Sequence, residues 1–167
     1  MIKALIFDWG DTVMRDYPEL EGPMFNWEHV EEIPHVKVAL EDLRHKYICC
    51  IASNAGYSDN HLMRQALKRV HLVKYFLFYF TSKELGNEKP DKRFFTKICE
   101  KIKVKPEECV MVGNDYKKDI EGAKSVGMQT ILFNEKNSKG KYTSADKVIK
   151  SMTELIAAVQ ALDNKIW

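Results

Sequence analysis

Short β-branched or aromatic runs alternate with helix-period segments along almost the whole chain, and few folds accept that order. Apolar runs at residues 2–7, 47–52, 76–80, 109–112 and 128–133 have the length and composition of buried strands. Helices are predicted between them. The first covers 36–46, with Val36, Val38, Leu40 and Leu43 inward; the second runs from a Ser58 cap to about residue 70 through Leu62, Ala66 and Leu67. Asp91 caps a third carrying Phe94, Phe95, Ile98 and Ile102, and Gly127 stops a fourth over 118–125. A short edge strand at 146–149 and a Ser151/Glu154 capping box opening the last helix complete the pattern. Strands buried on both faces and joined through helices predict an α/β chain: a three-layer α/β/α, Rossmann-like fold with a parallel central sheet. At 167 residues one core and one domain are expected.

Residues 13–34 break the alternation. Pro18, Gly22, Pro23 and Pro34 interrupt any long helix, while Tyr17, Phe25 and Trp27 are too aromatic for plain disorder. Two readings stand: a small cap over the Asp8 end of the sheet, or an ordinary packed surface loop.

Composition narrows the partners. Twenty-six basic against 24 acidic residues leave a net charge of +2, with no basic block and no aromatic-basic interleaving, so no nucleic acid is expected. No apolar stretch is long enough for a bilayer, and the first strand reaches Asp8 too early for a signal peptide; no membrane association and a cytoplasmic location are expected. Cys49, Cys50, Cys99 and Cys109 lack metal-ligand spacing and read as reduced, buried thiols.

Polar residues gather at the strand ends, where open α/β sheets bind ligands. Asp8 ends the first strand and is followed by Trp9-Gly10-Asp11-Thr12. Ser53-Asn54 end the second, Asn114-Asp115 the fourth with Asp119 one turn on, and Lys89 lies in the loop after the third. Together they offer what phosphoryl transfer needs: a carboxylate nucleophile, hydroxyl and backbone donors, a lysine against the charge, and clustered oxygens for Mg²⁺.

The succession FDxxxT (7–12), SN (53–54), KP (89–90) and GNDxxxD (113–119) resembles the four motifs of the haloacid dehalogenase superfamily, over nearly the whole chain except 13–34 and the ends. The resemblance implies a magnesium-dependent phosphohydrolase working through an aspartyl-phosphate on Asp8. Thr12 would support the turn beside Asp8 and stand on the phosphate side. Ser53 and the Asn54 backbone would bind phosphoryl oxygens, and Lys89 would pair with Asp8 and the phosphate. Asp8, the Gly10 carbonyl, Asn114, Asp115 and Asp119 would hold Mg²⁺ directly or through water, with Asp115 and Asp119 favoured as the anionic partners.

Two departures matter. Phosphatases of the superfamily usually carry a second Asp two residues after the nucleophile, as proton donor; here Gly10 stands there. Asp11 could swing into that role, or the substrate could need little protonation, which favours aryl and acyl phosphates over sugar phosphates. Asn114 stands where an Asp is more usual. Dehalogenase members want an arginine near the halide, and Arg15 is the only one near the first motif; phosphonatase members use a lid lysine, and residues 13–35 contain none. A cap this small leaves the site open, which suits a macromolecular substrate or a lid lent by a second subunit; the expected partner is a phosphorylated substrate, small molecule or protein, and the expected state a monomer or homodimer. The alternative from another class is a catalytically weak homologue acting as a binding or scaffold protein.

Overall fold

The computed structural model describes residues 1–54 and 56–164. Strand β1 (Ala4–Phe7) is buried along its whole length, because it pairs on both edges and is covered on both faces. It sits inside a six-stranded parallel sheet with β2 (Ile48–Ser53), β3 (Phe78–Thr81), β4 (Cys109–Gly113), β5 (Gln129–Phe133) and β6 (Lys147–Ile149). The order is β3-β2-β1-β4-β5-β6. The chain therefore leaves β1 towards one edge and later returns to its other side, which makes the β1/β4 boundary a topological switch point. Phe7 is level with Ile51 of β2 and Val112 of β4, and the Asp8 amide donates to the Val112 carbonyl at 2.9 Å. Asp8 thus emerges one residue past the last paired position.

The two-residue alternation of the strands divides the core. Leu5, Phe7, Cys49, Ile51, Val110 and Val112 face the helices α1 (Val36–Leu43), α2 (Asn60–Arg69) and α6 (Leu155–Asp163). Ala4, Ile6, Cys50, Ala52 and Met111 face α3 (Ser82–Leu85), α4 (Lys92–Ile102) and α5 (Gly122–Lys124) on the other side. Three layers result, as the alternation of elements predicts. All four cysteines are free and buried, and burial pushes the Cys49 thiol up to about 12. Among the described residues no helix is long and apolar enough to cross a membrane.

Local details differ from the sequence reading for identifiable reasons. Val38 is 71% exposed, because a two-residue step turns about 200° around a helix; Ala39 takes the inward place beside Val36, Leu40 and Leu43. The cap of α2 is Asp59, whose carboxylate accepts from the Leu62 amide, and buried Ser58 is only its neighbour. Met63, with Ala66 and Leu67, fills the inner face where Leu62 was expected. The helix predicted over 118–125 starts earlier, as a π-helical turn over Tyr116–Glu121 that runs into α5. Gly127 ends it with a φ of +93°. Ala55, within the turn expected after β2, lies outside the described residues.

The irregular segment is tied at a neck. Arg15 N–H donates to the Glu31 carbonyl and Ile33 N–H to the Val13 carbonyl, each at 2.9 Å, with an antiparallel bridge between Met14 and Glu32. Val13, Met14 and Ile33 are fully buried and belong to the core. Residues 16–30 form an excursion around a 3₁₀ turn at Met24–Asn26, with Met24 itself buried in the core. The Arg69 guanidinium at the end of α2 donates to the carbonyls of Phe25, Trp27 and Glu28, pinning the excursion to the body.

Candidate functional site

A tight turn hands the chain from β1 into the neck. The Trp9 carbonyl accepts from the amides of Thr12, Val13 and Met14 at 3.2, 2.9 and 3.2 Å, and Asp11 takes a φ of +57°. Carboxylate, lysine and amide side chains from four loops then meet at the strand ends.

Lys89 is the hub. Its ammonium, almost fully buried, donates to Asp8 Oδ1 at 2.8 Å, Asp119 Oδ1 at 2.7 Å and the Ala52 carbonyl at 3.1 Å, filling all three of its donors. Burial alone would push the Lys89 ammonium down, but the Asp119 and Asp8 charges outweigh it and hold the pKa above the usual lysine value. Asp119 is pushed the other way, upward, by burial first and by the Asp8 charge second, against the pull of Lys89. The lysine is charged and holds two carboxylates that would otherwise repel each other.

Two residues support this hub in ways the sequence did not reveal. Asn54 clamps the Lys89 main chain, accepting from its amide at 2.7 Å and donating to its carbonyl at 3.0 Å. Gly113 makes room for Asp119: a Cβ there would stand 2.3 Å from Asp119 Oδ2. That oxygen accepts from the Asp115 amide at 3.0 Å, while Asp115 Oδ1 caps the π turn by accepting from Lys118 N–H at 2.9 Å. Each is a contact between residues remote in sequence or a packing distance, and neither leaves a pattern in the chain.

Asn114 faces Asp8. One terminal atom of its carboxamide lies 2.9 Å from Asp8 Oδ2, 3.3 Å from the Gly10 carbonyl oxygen and 3.2 Å from Thr12 Oγ1. With nitrogen there, the amide donates to Asp8 and Gly10. With oxygen there, three kinds of oxygen converge on one point: a carboxylate, a carboxamide and a main-chain carbonyl. Hard cations take such a mixture and keep waters in the remaining positions. Among the described residues no three His, Cys, Asp or Glu side chains form a ready-made cage. The crevice is nonetheless strongly acidic. The crevice is lined by the carboxylates of Asp8, Asp11, Asp16, Asp115 and Asp119 against only Lys89 and Lys118. Five acids facing two lysines would repel a phosphate dianion unless a cation offset them.

Thr12 does not reach the phosphate side. It is fully buried behind Asp8, with its hydroxyl 3.5 Å from Asp8 Oδ2 and 3.2 Å from Asn114, so it supports the carboxylate rather than meeting a ligand. Ser53 lines the crevice, its hydroxyl donating to the Asn54 carbonyl at 3.1 Å. Asp11 Oδ1 accepts from the Asp16 amide at 3.1 Å and lies 3.7 Å from Arg15 Nη1. Arg15 itself is gripped by both carboxylate oxygens of Glu135, at 2.7 and 2.9 Å, which ties the neck to the loop after β5.

A cavity of about 280 Å³ opens beside the crevice, walled by Trp9, Tyr17, Leu20, Met24, Trp27 and Tyr57. The Tyr17 and Trp27 rings lie 6.1 Å apart, Tyr17 donates to Glu31, and Trp27 Nε1 donates to the Glu21 carbonyl, so the excursion stiffens its own wall. Gly10, Asp16, Ser53 and Asn54 line both spaces, which makes them continuous. Burial and the Asp11 charge raise the Asp16 pKa above the ordinary carboxylate value.

Comparison with known proteins agrees with this geometry. The profile described as haloacid dehalogenase-like hydrolase matches residues 6–133. Ribulose-1,5-bisphosphate 5-phosphatase of Halopiger xanaduensis is 32% identical over 121 residues, covering 72% of this chain and 49% of that protein. N-acylneuraminate-9-phosphatase of Mus musculus is 27% identical over 142 residues, covering 83% and 56%. The chain thus spans about half the length of the curated relatives it matches. Among solved structures, an uncharacterized protein from Listeria monocytogenes serotype 4b superimposes with a TM-score of 0.85 at 23% identity, over 98% of this chain and 99% of that one. A HAD-hydrolase of Bacillus subtilis, in a form bound to magnesium, gives 0.78 at 16% identity over 93% and 97%.

Proposed function

We propose that this chain, which belongs to the haloacid dehalogenase-like hydrolase family, is a phosphohydrolase that transfers a phosphoryl group to Asp8 and then to water. The observation that carries the reading is Lys89 bridging Asp8 and Asp119 at the end of the central strand. One oxygen of Asp8 is held by Lys89 and the other lies beside Asn114 and Thr12, which fixes the direction of the carboxylate at the crevice that Asp8 lines. Ser53 and the main chain around it line the same space and suit the equatorial phosphoryl oxygens. Lys89 offsets charge at the attacked centre as well as at Asp8.

Asp8, the Gly10 carbonyl and Asn114 would hold Mg²⁺, with Asp115 and Asp119 reaching it through water. Bound there, the cation would screen the excess negative charge and polarise the phosphoryl group. Residues 16–30 serve as a minimal cap, and the chain is one domain with that insertion. Aryl and acyl phosphates are the favoured substrates. Their leaving oxygens need the least protonation, and the aromatic cavity has room for a ring: an apolar cavity of about 150 Å³ already takes up benzene. The curated relatives act on phosphorylated sugars or sugar-like molecules according to their names, which supports a phosphomonoester.

The test is hydrolysis of 4-nitrophenyl phosphate with Mg²⁺. Asp8→Asn is expected to lower kcat by about 10³-fold or more, the scale of losing a covalent nucleophile. EDTA is expected to abolish turnover and added Mg²⁺ to restore it. Turnover that survives both treatments would remove Asp8 and the cation from the mechanism.

A further inference from the structure

Gly10 has no side chain, yet the space beside it is filled from another direction. A Cβ built on Gly10 would stand 3.2 Å from Asp16 Cβ, 3.5 Å from Cγ and 3.6 Å from Oδ2. The Asp16 carboxyl therefore comes in from the base of the excursion and lies against the position where the chain carries glycine. Among the described residues that line both the crevice and the aromatic cavity, Asp16 has the one acidic side chain. It stands where phosphoryl group and leaving group would join.

Its neighbours hold it there. Asp11 Oδ1 accepts from the Asp16 amide, and Arg15, next in the chain, is anchored on Glu135. The same contacts occupy Asp11, whose carboxylate serves the bend. The other acids of the crevice are engaged as well: Asp119 by Lys89 and the Asp115 amide, Asp115 by the cap on Lys118.

We propose that Asp16 is the catalytic acid and base of this site. The inference rests on the reading of Asp8 as nucleophile. In the first half-reaction an Asp8 oxygen bonds to phosphorus and the bond from phosphorus to the ester oxygen breaks. The electron pair stays on the ester oxygen, which takes the proton of the Asp16 carboxyl and leaves as the alcohol. In the second, water bonds to phosphorus, the bond to Asp8 breaks with its electron pair returning to that carboxylate, and the water proton goes to Asp16. Both carboxyls end as they began, and one ester and one water give one alcohol and one phosphate. Asp16 thus supplies from the excursion what Gly10 lacks, and extends the range beyond the best leaving groups.

The experiment uses the full chain with Mg²⁺ and phosphate esters whose leaving alcohols run from 4-nitrophenol through phenol to benzyl alcohol. Asp16→Asn is expected to lose most on the benzyl ester, about 10²–10⁴-fold, and least in forming nitrophenolate. A burst of one nitrophenolate per active site, followed by slow turnover, is expected from 4-nitrophenyl phosphate, because the step that needs the base is also slowed. Compared as kcat/KM, which reports the first half-reaction alone, a loss equal for every ester, or no loss, overturns the proposal. Gly10→Asp combined with Asp16→Ala moves the carboxyl to the neighbouring backbone position and is expected to recover the benzyl ester to within about tenfold of wild type. No recovery over Asp16→Ala alone, in protein of unchanged thermal midpoint, also overturns it. Asp8→Asn separates the two readings. If that variant keeps turning over, the nucleophile is misassigned; if it is dead while Asp16→Asn matches wild type, only Asp16 is.

Discussion

Two walls face each other across the crevice and are built on different principles. The sheet-side wall consists of strand ends. Lys89, Asp8 and Asp119 are nearly withdrawn from water and saturated with hydrogen bonds to one another, to Ala52 and to the Asp115 amide. The opposite wall is residues 16–30, joined to the body by the neck and by the three carbonyls on Arg69. Its contacts are ring against ring and ring against main chain, partly open to solvent. One wall fixes charge; the other offers shape. Under the proposed function, group transfer would rest on the first and choice of leaving group on the second.

That separation can be broken from the sheet side first. Lys89→Met would leave two buried carboxylates without their cation, and uncompensated charge of this kind costs about 3–5 kcal/mol. Urea unfolding is expected to show a loss on that scale, together with loss of phosphatase activity. A change below about 1 kcal/mol would mean that the carboxylates are neutralised some other way. Next comes Gly113→Ala. The added carbon collides with the Asp119 carboxylate, and forced repacking of a full site costs about 1–3 kcal/mol. It should lower the thermal midpoint and turnover together, whereas a silent substitution would show that Asp119 has room to move.

The smallest effect belongs to the other wall. Trp27→Ala is expected to raise KM for 4-nitrophenyl phosphate by about tenfold, the yield of one lost apolar contact surface. Hydrolysis of acetyl phosphate, which has no ring to place, should change by less than about twofold by the same reasoning. Equal loss on both substrates would join the walls into one unit and end the comparison.

The layout of the molecule was readable because its signals are local. Strand runs, the Asp91 cap, the Ser151/Glu154 box and the Gly127 stop each depend on residues within a few positions, and each has its physical counterpart in the fold. Apart from β4, which starts with its run at Cys109, the strands begin a residue or two later than the apolar runs, since pairing rather than composition sets their ends. The gathering of Asp8, Lys89, Asn114 and Asp119 followed from motif order, as strands of one parallel sheet bring their ends together. What escaped notice depends on distance through space. Asn54 gripping the Lys89 backbone joins residues 35 apart, and Arg69 reaches 41 to 44 residues back to the excursion. The Asp16 carboxyl beside Gly10 requires the backbone to double back, and nothing in a Gly-Asp-Thr string announces that. The full burial of Thr12 has a related cause: the turn that carries it sets it behind the Asp8 carboxylate beside which it is expected to support the chain.

The carboxamide of Asn114 has a further consequence. Rotating its two ends by half a turn exchanges a donor for an acceptor against Asp8 and Gly10 while leaving every backbone atom where it is. With nitrogen towards Asp8, the amide closes a hydrogen-bonded network with Asp8, Gly10 and Thr12. Aspartate at this position would hold an ion more tightly but would meet Asp8 as a like charge whenever no ion intervened. The neutral amide trades grip on any cation for an arrangement free of that repulsion.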